Sequence, residues 1–291
     1  MERFTKPEWL KVKLQVNENY SSLRSRLREL KLHTICEEAR CPNIFECWGH
    51  GTATVLLLGE KCTRACRFCA VQTGNPHGLV DLNEPVRVAE QAAESGLSYI
   101  VLTSVDRDDL PDGGASIIAK TVGEIKKRSD IVVEVLMPDF RGNRSSLDMI
   151  IDSGAEVLAH NIETVRRLTP AVRDRRAGYE QSLDVLSYLK KKSGRITKSS
   201  IMVGLGERRE EVLETLSDLR SAGVDAVTIG QYLQPDRRHL EVQEYIHPEL
   251  FKEYERSAYE MGFRMVASGP FVRSSYRAGE MYLTGMVKGG M

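Results

Sequence analysis

The sequence predicts an α/β protein, a partial (β/α)6 TIM-type barrel with N- and C-terminal extensions, and three observations carry that expectation. From residue 53 onward, apolar runs of strand length alternate with amphipathic helical segments. The repeat is roughly 35 residues, the size of a βα unit in a parallel barrel or a doubly wound sheet. No low-complexity linker divides the 291 residues, a length that suits one large domain with a sizeable core.

In chain order, residues 1–52 break the βα pattern. YSSLRSRLRELKL reads as one helix, followed by a group of cysteines, and the segment is expected as an extension wrapped on the core. The barrel is expected over 53–270. Its strand candidates are ATVLLLG (53–59), YIVLTS (99–104), VVEVLMP (132–138), EVLAHNI (156–162), KSSIMVG (198–204) and DAVTIGQY (225–232). Six strands are too few for a complete eight-fold barrel; FRMVASG (263–269) reads as a short closing strand. Between them, Asn83 is placed to cap a helix with Pro85 in its first turn, Val86, Ala89 and Ala93 on one face, and Gly96 as its stop. Tyr179, Leu183, Leu186 and Leu189 repeat at helical spacing, as do Val212, Leu216 and Leu219 before Gly223, and Pro248 opens a last helix ending at Gly262. Residues 271–291 form a C-terminal tail.

Lys plus Arg equal Asp plus Glu at 41 each, which removes the electrostatic argument for a general nucleic-acid binder or an anionic-membrane protein. No run of about 20 apolar residues is present to span a membrane. The N-terminal MERFTKPEWLKVKL has no apolar secretion core and reads as mature protein, so a cytoplasmic, reducing location is expected. There, clustered cysteines are metal ligands or redox groups more often than disulfides.

All six cysteines fall in two triplets. CTRACRFC places Cys62, Cys66 and Cys69 as C-x3-C-x2-C directly after the first strand, at the rim where a barrel exposes its chemistry. A structural zinc site wants four closed ligands, usually as paired C-x2-C knuckles, and that pairing is absent. A [4Fe–4S] cluster held by three thiolates leaves one iron open to a substrate. The loop resembles the signature of the radical S-adenosylmethionine (radical SAM) family. That resemblance implies that the open iron binds the amino and carboxylate groups of SAM, and that the reduced cluster cleaves SAM to a hydrogen-abstracting 5′-deoxyadenosyl radical.

Cys36, Cys41 and Cys47 form a second three-ligand set, C-x4-C-x5-C, which taken alone also suits zinc. Beside the other triplet it reads as the holder of an auxiliary cluster. With RSSYRA (273–278), the three ordered motifs resemble the lipoyl synthase family over nearly the whole chain. The resemblance implies that the second serine of R-S-S-Y, Ser275, is an oxygen ligand to the auxiliary cluster; spacing alone leaves Ser274 open as well. It implies two [4Fe–4S] clusters, two SAM per product, and sulfur inserted at carbons 6 and 8 of an octanoyl chain on a carrier-protein lysine, with the auxiliary cluster consumed. The implied partners are an octanoylated carrier domain, of glycine-cleavage H-protein or 2-oxoacid dehydrogenase E2 type, and a low-potential electron donor of ferredoxin or flavodoxin type.

At the remaining strand ends, Asn161, Glu163, Gly204, Gly206 and Glu207 are candidates to contact SAM, although Gly206 and Glu207 also suit a plain turn and helix start. The cluster Asp106, Arg107, Asp108 and Asp109 reads as a solvated charge network. RRLTPAVRDRRAG, holding Arg166, Arg167, Arg173, Arg175 and Arg176, is either a local docking patch for an acidic carrier domain or, the favoured reading, a solvated loop. His33, His50, His77, His160, His239 and His247 show no metal-ligand spacing, and Met281, Met286 and Met291 suit packing or disorder. Another sulfur-inserting radical SAM enzyme, biotin synthase-like or a methylthiotransferase, shares one triplet but not the ordered set. A zinc-stapled interaction protein leaves the rim placement of Cys62–Cys69 without a reason.

Overall fold

Seven strands line up in one parallel sheet, paired in chain order: β1 (Thr52–Leu57), β2 (Tyr99–Ser104), β3 (Val132–Leu136), β4 (Val157–Ala159), β5 (Ile196–Val203), β6 (Ala226–Gln231) and β7 (Met265–Gly269). The structure, a computed structural model, describes residues 6–10, 18–29, 34–38, 41, 43–280 and 282. The run at 263–269 is a full member of the sheet, in register with β6 from Met265 opposite Ala226 to Gly269 opposite Gly230. Among the described residues β1 and β7 do not pair, so the curved sheet stays open along one side, as a partial TIM-type barrel.

β4 is shorter than its apolar run. After Ala159 the ladder gives way to side-chain bonds: the Ile162 N–H donates to Ser199 Oγ at 3.1 Å, and pairing resumes as a single bridge between Glu163 and Ile201. Glu163 takes a φ of +69°. This kink ends the regular strand and turns the 160–163 segment into the barrel mouth.

The helices that matter are α1 (Glu18–Glu29), α2 (Ile35–Glu38), α3 (Ile44–Gly49), α4 (Glu84–Ser95), α5 (Ala115–Arg128), α6 (Arg144–Asp152), α7 (Tyr179–Ser193), α8 (Arg209–Ser221) and α9 (Pro248–Glu260). The expected continuation of the first helix over 30–32, His33, Met281, Met286 and Met291 lie outside the described residues. α4 ends at Gly96 in the left-handed region as expected, but its start and face differ. The Asn83 side chain makes no capping bond, and the buried stripe is Pro85, Val88, Ala89 and Ala92, with Ala93 exposed. Both stripes of this helix are apolar, so packing on α5 chooses the phase. α7 and α8 bury the faces the periodicity predicts, except that Leu183 is half-buried. Each fully buried Leu or Val contributes about 1.5–3 kcal/mol.

Ile100, Leu102, Val133 and Val135 join the layer shared with α4 and α5. Strand alternation therefore turns Tyr99, Val101, Val132 and Leu136 inward. There they meet the tail as well as one another: Ala278 and Tyr282 pack on them, with the Tyr99 and Tyr282 rings 5.9 Å apart, and the Tyr99 hydroxyl donates to Glu134 of β3 at 2.8 Å. The chain after β7 thus re-enters the barrel through its open side. Gly230 makes room for it, because a Cβ there would collide with the Val272 carbonyl. The N-terminal extension covers the same side. Thr34 bridges the free edge of β1 at Val55, Asn43 Nδ2 donates to the Phe271 carbonyl at 2.5 Å, and Glu46 accepts from the Tyr276 hydroxyl at 3.0 Å and from Arg277.

Candidate active site

A cavity of about 410 Å³ opens at the C-terminal ends of the strands. Its wall takes Thr54 and Leu56 from β1, Thr103 from β2, Leu136 from β3, Ser200 and Met202 from β5, and Gly230 from β6. Cys62, Cys66 and Cys69 enter from one side and Ser274 and Ser275 of the tail from another, with Ile35, next to Cys36, between them. Residues more than 200 positions apart thus share one chamber.

All six cysteines are free, and each sulfur faces a backbone N–H. Arg64 N donates to Cys62 Sγ at 3.4 Å and Asp174 N to Cys66 Sγ at 3.3 Å, while Val71 serves Cys69. Thr54, Asn43 and Arg277 do the same for Cys36, Cys41 and Cys47. Burial nevertheless pushes every thiol up, Cys36 and Cys69 to about 11 and Cys47 and Cys66 to about 12. Amide donors aimed at sulfurs that burial keeps from ionising are what a cationic metal centre calls for, since the thiolate is the ligand and N–H···S bonds tune iron–sulfur clusters. That donor chemistry suits iron–sulfur ligation, although among the described residues no group of three His, Cys, Asp or Glu side chains is arranged to hold a single metal ion. The first triplet is drawn together by the fold: Cys36 and Cys41 sense each other's charge, as do Cys47 and both of them. Arg273 lies beside Cys41, so the tail that carries Ser274 and Ser275 runs past this triplet.

Asn161 and Glu163 line the cavity together with the Cys62–Cys69 loop, and Asn161 Nδ2 donates to Glu163 Oε1 at 3.1 Å. Burial raises the Glu163 pKa. Gly204, Gly206 and Glu207 do not line the cavity. The Glu207 carboxylate accepts from the Gly204 N–H at 2.5 Å and the Leu205 N–H at 2.9 Å, and the Gly206 carbonyl accepts from Arg167 at 2.8 Å. Gly204, with φ +98°, is needed because a Cβ would sit 2.5 Å from the Glu244 carbonyl. This loop is closed upon itself.

The charged run at 106–109 is a buried framework and not the solvated network expected of it. Arg64, 4 % exposed, bonds Asp139 at 2.7 and 2.8 Å and Asp108 at 3.0 and 3.1 Å, and lies 3.2 Å from Asp106. Burial opposes ionisation of Asp139, yet the Arg64 bonds hold its carboxyl down at about 2. Burial pushes Asp106 the other way, up to about 6, beside the Cys62 thiol that points at it from 3.9 Å. Arg107, equally buried, ties Asp109 to the carbonyls of Leu58 and Leu79. An arginine inside a cysteine loop and carboxylates one strand away give no sequence periodicity, so only the fold reveals the pairing.

Two further residues escape sequence reasoning. His239 Nε2 lies 2.9 Å from the Cys69 carbonyl and its Nδ1 2.8 Å from Asp236, so it braces the loop without being a ligand. The Trp48 indole N–H is buried with no oxygen or nitrogen acceptor, and it favours the charged form of the Cys36 sulfur. The arginine run is dispersed. Arg166 pairs with Asp218, Arg167 with Glu211 and Arg176 with Asp174, and Arg173 is buried against Ser182. Of the five, Arg173 and Arg175 make no ion pair among the described residues, and only Arg175 of these two is exposed.

Comparison with known proteins agrees with this architecture. The Radical SAM superfamily model matches residues 56–231, and the model of the N-terminal domain of lipoyl synthase matches residues 1–41. Lipoyl synthase of Thermus thermophilus is 58% identical over 280 residues, covering 96% of this chain and 87% of that one. Mitochondrial lipoyl synthase 1 of Drosophila yakuba is 57% identical over 294 residues, covering 99% and 78%. Among solved structures, methylornithine synthase superposes with a TM-score of 0.56 at 15% identity, covering 87% of this chain and 75% of that one, a likeness of fold. The maturase HydG of Carboxydothermus hydrogenoformans gives 0.56 at 13% identity, covering 84% and 63%.

Proposed function

This chain belongs to the lipoyl synthase family within the radical SAM superfamily, and from that premise we propose how the cavity at its strand ends serves the insertion of two sulfur atoms, at carbons 6 and 8, into a protein-bound octanoyl chain. One observation carries the reading: the Cys62–Cys69 loop and the Ser274–Ser275 tail face one chamber, with the Cys36 segment at its wall.

When bound, SAM and two [4Fe–4S] clusters supply the electron relay, the hydrogen-abstracting radical and the inserted sulfur. The residues supply the rest. Cys62, Cys66 and Cys69 hold one cluster, and Cys36, Cys41, Cys47 and the Ser275 hydroxyl hold the other. Asn161 and Glu163 offer an amide and a carboxylate for the polar parts of SAM. Arg173, buried in the same wall, offers a cation for a carboxylate. Leu56, Leu136, Met137 and Met202 give the wall the aliphatic surface an octanoyl chain needs, and shield it from water. Gly204, Gly206 and Glu207 support β5 and the 163–167 turn next to it. Six unpaired thiols call for a reducing compartment, and we place the chain in the cytoplasm; its relatives include mitochondrial forms. The implied partners are an octanoylated carrier domain and a low-potential electron donor.

Anaerobically reconstituted chain, incubated with SAM, dithionite and an octanoyl-lysine peptide, is expected to add two sulfurs to the peptide and form two 5′-deoxyadenosines. Ser275→Ala is expected to retain SAM cleavage and lose most sulfur insertion, with Cys62→Ala losing both. Wild-type sulfur yield from Ser275→Ala assigns the oxygen ligand elsewhere; no sulfur from the unaltered chain overturns the reading itself.

A further inference from the structure

The Cys62–Cys69 loop has an outer side, and three segments converge on it. Cys66, Phe68 and Cys69 line the cavity, whereas Ala65 and Arg67 are exposed and do not. The Arg67 N–H donates to the Val172 carbonyl at 2.9 Å and its guanidinium to the Ala171 carbonyl at 3.1 Å. Asp174 then accepts from the Ala65 N–H at 3.0 Å and its own N–H reaches Cys66. From the other flank, the Leu240 N–H donates to the Arg67 carbonyl at 3.2 Å, and His239, held at its other nitrogen by Asp236, lies 2.9 Å from the Cys69 carbonyl.

The charges on these segments do not cancel. Asp174 is taken by Arg176, and Asp236 by Arg238 and His239. That leaves Arg67, Arg175 and Arg237, all exposed, with no ion pair among the described residues; Glu241 is the remaining carboxylate of the 236–241 segment. On a chain with formal net charge of zero, an excess of unpaired arginines gathered from three distant segments is a local field. It sits on and beside the loop that carries Cys62, Cys66 and Cys69, on residues that do not line the chamber.

We propose that this outer face is the docking surface for a small acidic protein that carries single electrons at low potential. The inference rests on the reading of Cys62, Cys66 and Cys69 as cluster ligands. One electron leaves the carrier, which is oxidised by one, and enters the iron held by this loop; no bond forms or breaks and no proton is required. An octanoylated carrier domain fits the face less well, since its acyl-lysine must reach the chamber and none of the three arginines lines it. Opposite charge at such a rim acts on encounter, raising association rates by roughly 10- to 1000-fold at low salt.

The test uses reconstituted chain and two reductants, reduced flavodoxin as the acidic probe and dithionite as a small one. For Arg175→Glu/Arg237→Glu, the flavodoxin-driven reduction rate at low salt is expected to fall about tenfold or more, with the gap closing as salt rises. Dithionite-driven SAM cleavage is expected to stay at the wild-type rate. Lys191→Glu, exposed in the last turn of α7, is the control and is expected to leave both rates unchanged. An unchanged flavodoxin rate overturns the proposal. So does an equal fall with both reductants, which places these arginines in the site, or lost affinity for the octanoylated carrier domain with flavodoxin reduction intact. Failure of the sulfur-insertion reading shows separately, as absent product with dithionite and the unaltered chain.

Discussion

At Cys69 the backbone carbonyl lies 2.9 Å from His239 Nε2, and the other ring nitrogen of His239 lies 2.8 Å from Asp236. Removing one such bond costs about 0.5–1.5 kcal/mol. The loss falls on a short loop and not on the barrel. His239→Ala is therefore expected to leave the melting temperature nearly unchanged while iron bound by the Cys62–Cys69 triplet drops, with iron on the Cys36–Cys47 triplet unaffected. Iron analysis of each single-triplet variant carrying His239→Ala checks this; equal loss from both triplets contradicts it. The two cysteine triplets stood out because their spacing is local, whereas the serines came only from the resemblance of the R-S-S-Y run to a family. His239 was not, because the bond that gives it a role spans 170 positions. Arg64 sat inside the motif, but its burial among Asp106, Asp108 and Asp139 depends on which strand ends meet.

Among the elements, the strands could be read closely because each is an apolar run that the sheet buries on both faces. Where the reading slipped, a second physical choice was open. The run containing β4 is apolar through Ile162, but Ser199 offers a side-chain bond that takes it out of the ladder. α4 has alanines at 89, 92 and 93, so its periodicity leaves the buried phase to α5. The tail inside the barrel was hidden entirely, since YRAGEMY has no strand or helix pattern that requires an interior. Gly230 is the hinge of this arrangement. A methyl there meets the Val272 carbonyl and stands 3.0 Å from its carbon, which forces the tail off β6. Gly230→Ala is expected to destabilise the fold by about 1–3 kcal/mol, as overpacking does. It is also expected to deplete iron at Cys36, Cys41 and Cys47 more than at the other triplet, read by denaturant midpoint and iron content. An unchanged midpoint and full iron on both triplets refute the tail's placement.

For the molecule as a whole, acid sensitivity follows from His160, fully enclosed between the Met137 carbonyl and Ser182 Oγ. Burial, with the nearby Arg173 charge, pushes its pKa down to about 4. Below the ordinary value of about 6.5 the unfolded chain takes a proton that the folded chain refuses. Stability is therefore intact above about 6.5 and declines as pH falls toward about 4, by on the order of 3 kcal/mol at most. Asp106, held at about 6, acts with the opposite sign, because the folded chain protonates it first. The measurement is thus a difference: the cluster-free His160→Gln chain is expected to show a flatter loss of urea stability between pH 6.5 and 4.5 than the unaltered chain. Parallel profiles contradict it. The threading of residues 271–280 through the open side of the barrel bears on biosynthesis. The ribosome makes this segment after every strand, so a nascent chain long enough to form the sheet still lacks the last wall of its chamber. The two cysteine triplets gain their shared wall only when that segment emerges, so the chamber is the last part of the fold that the order of translation lets close.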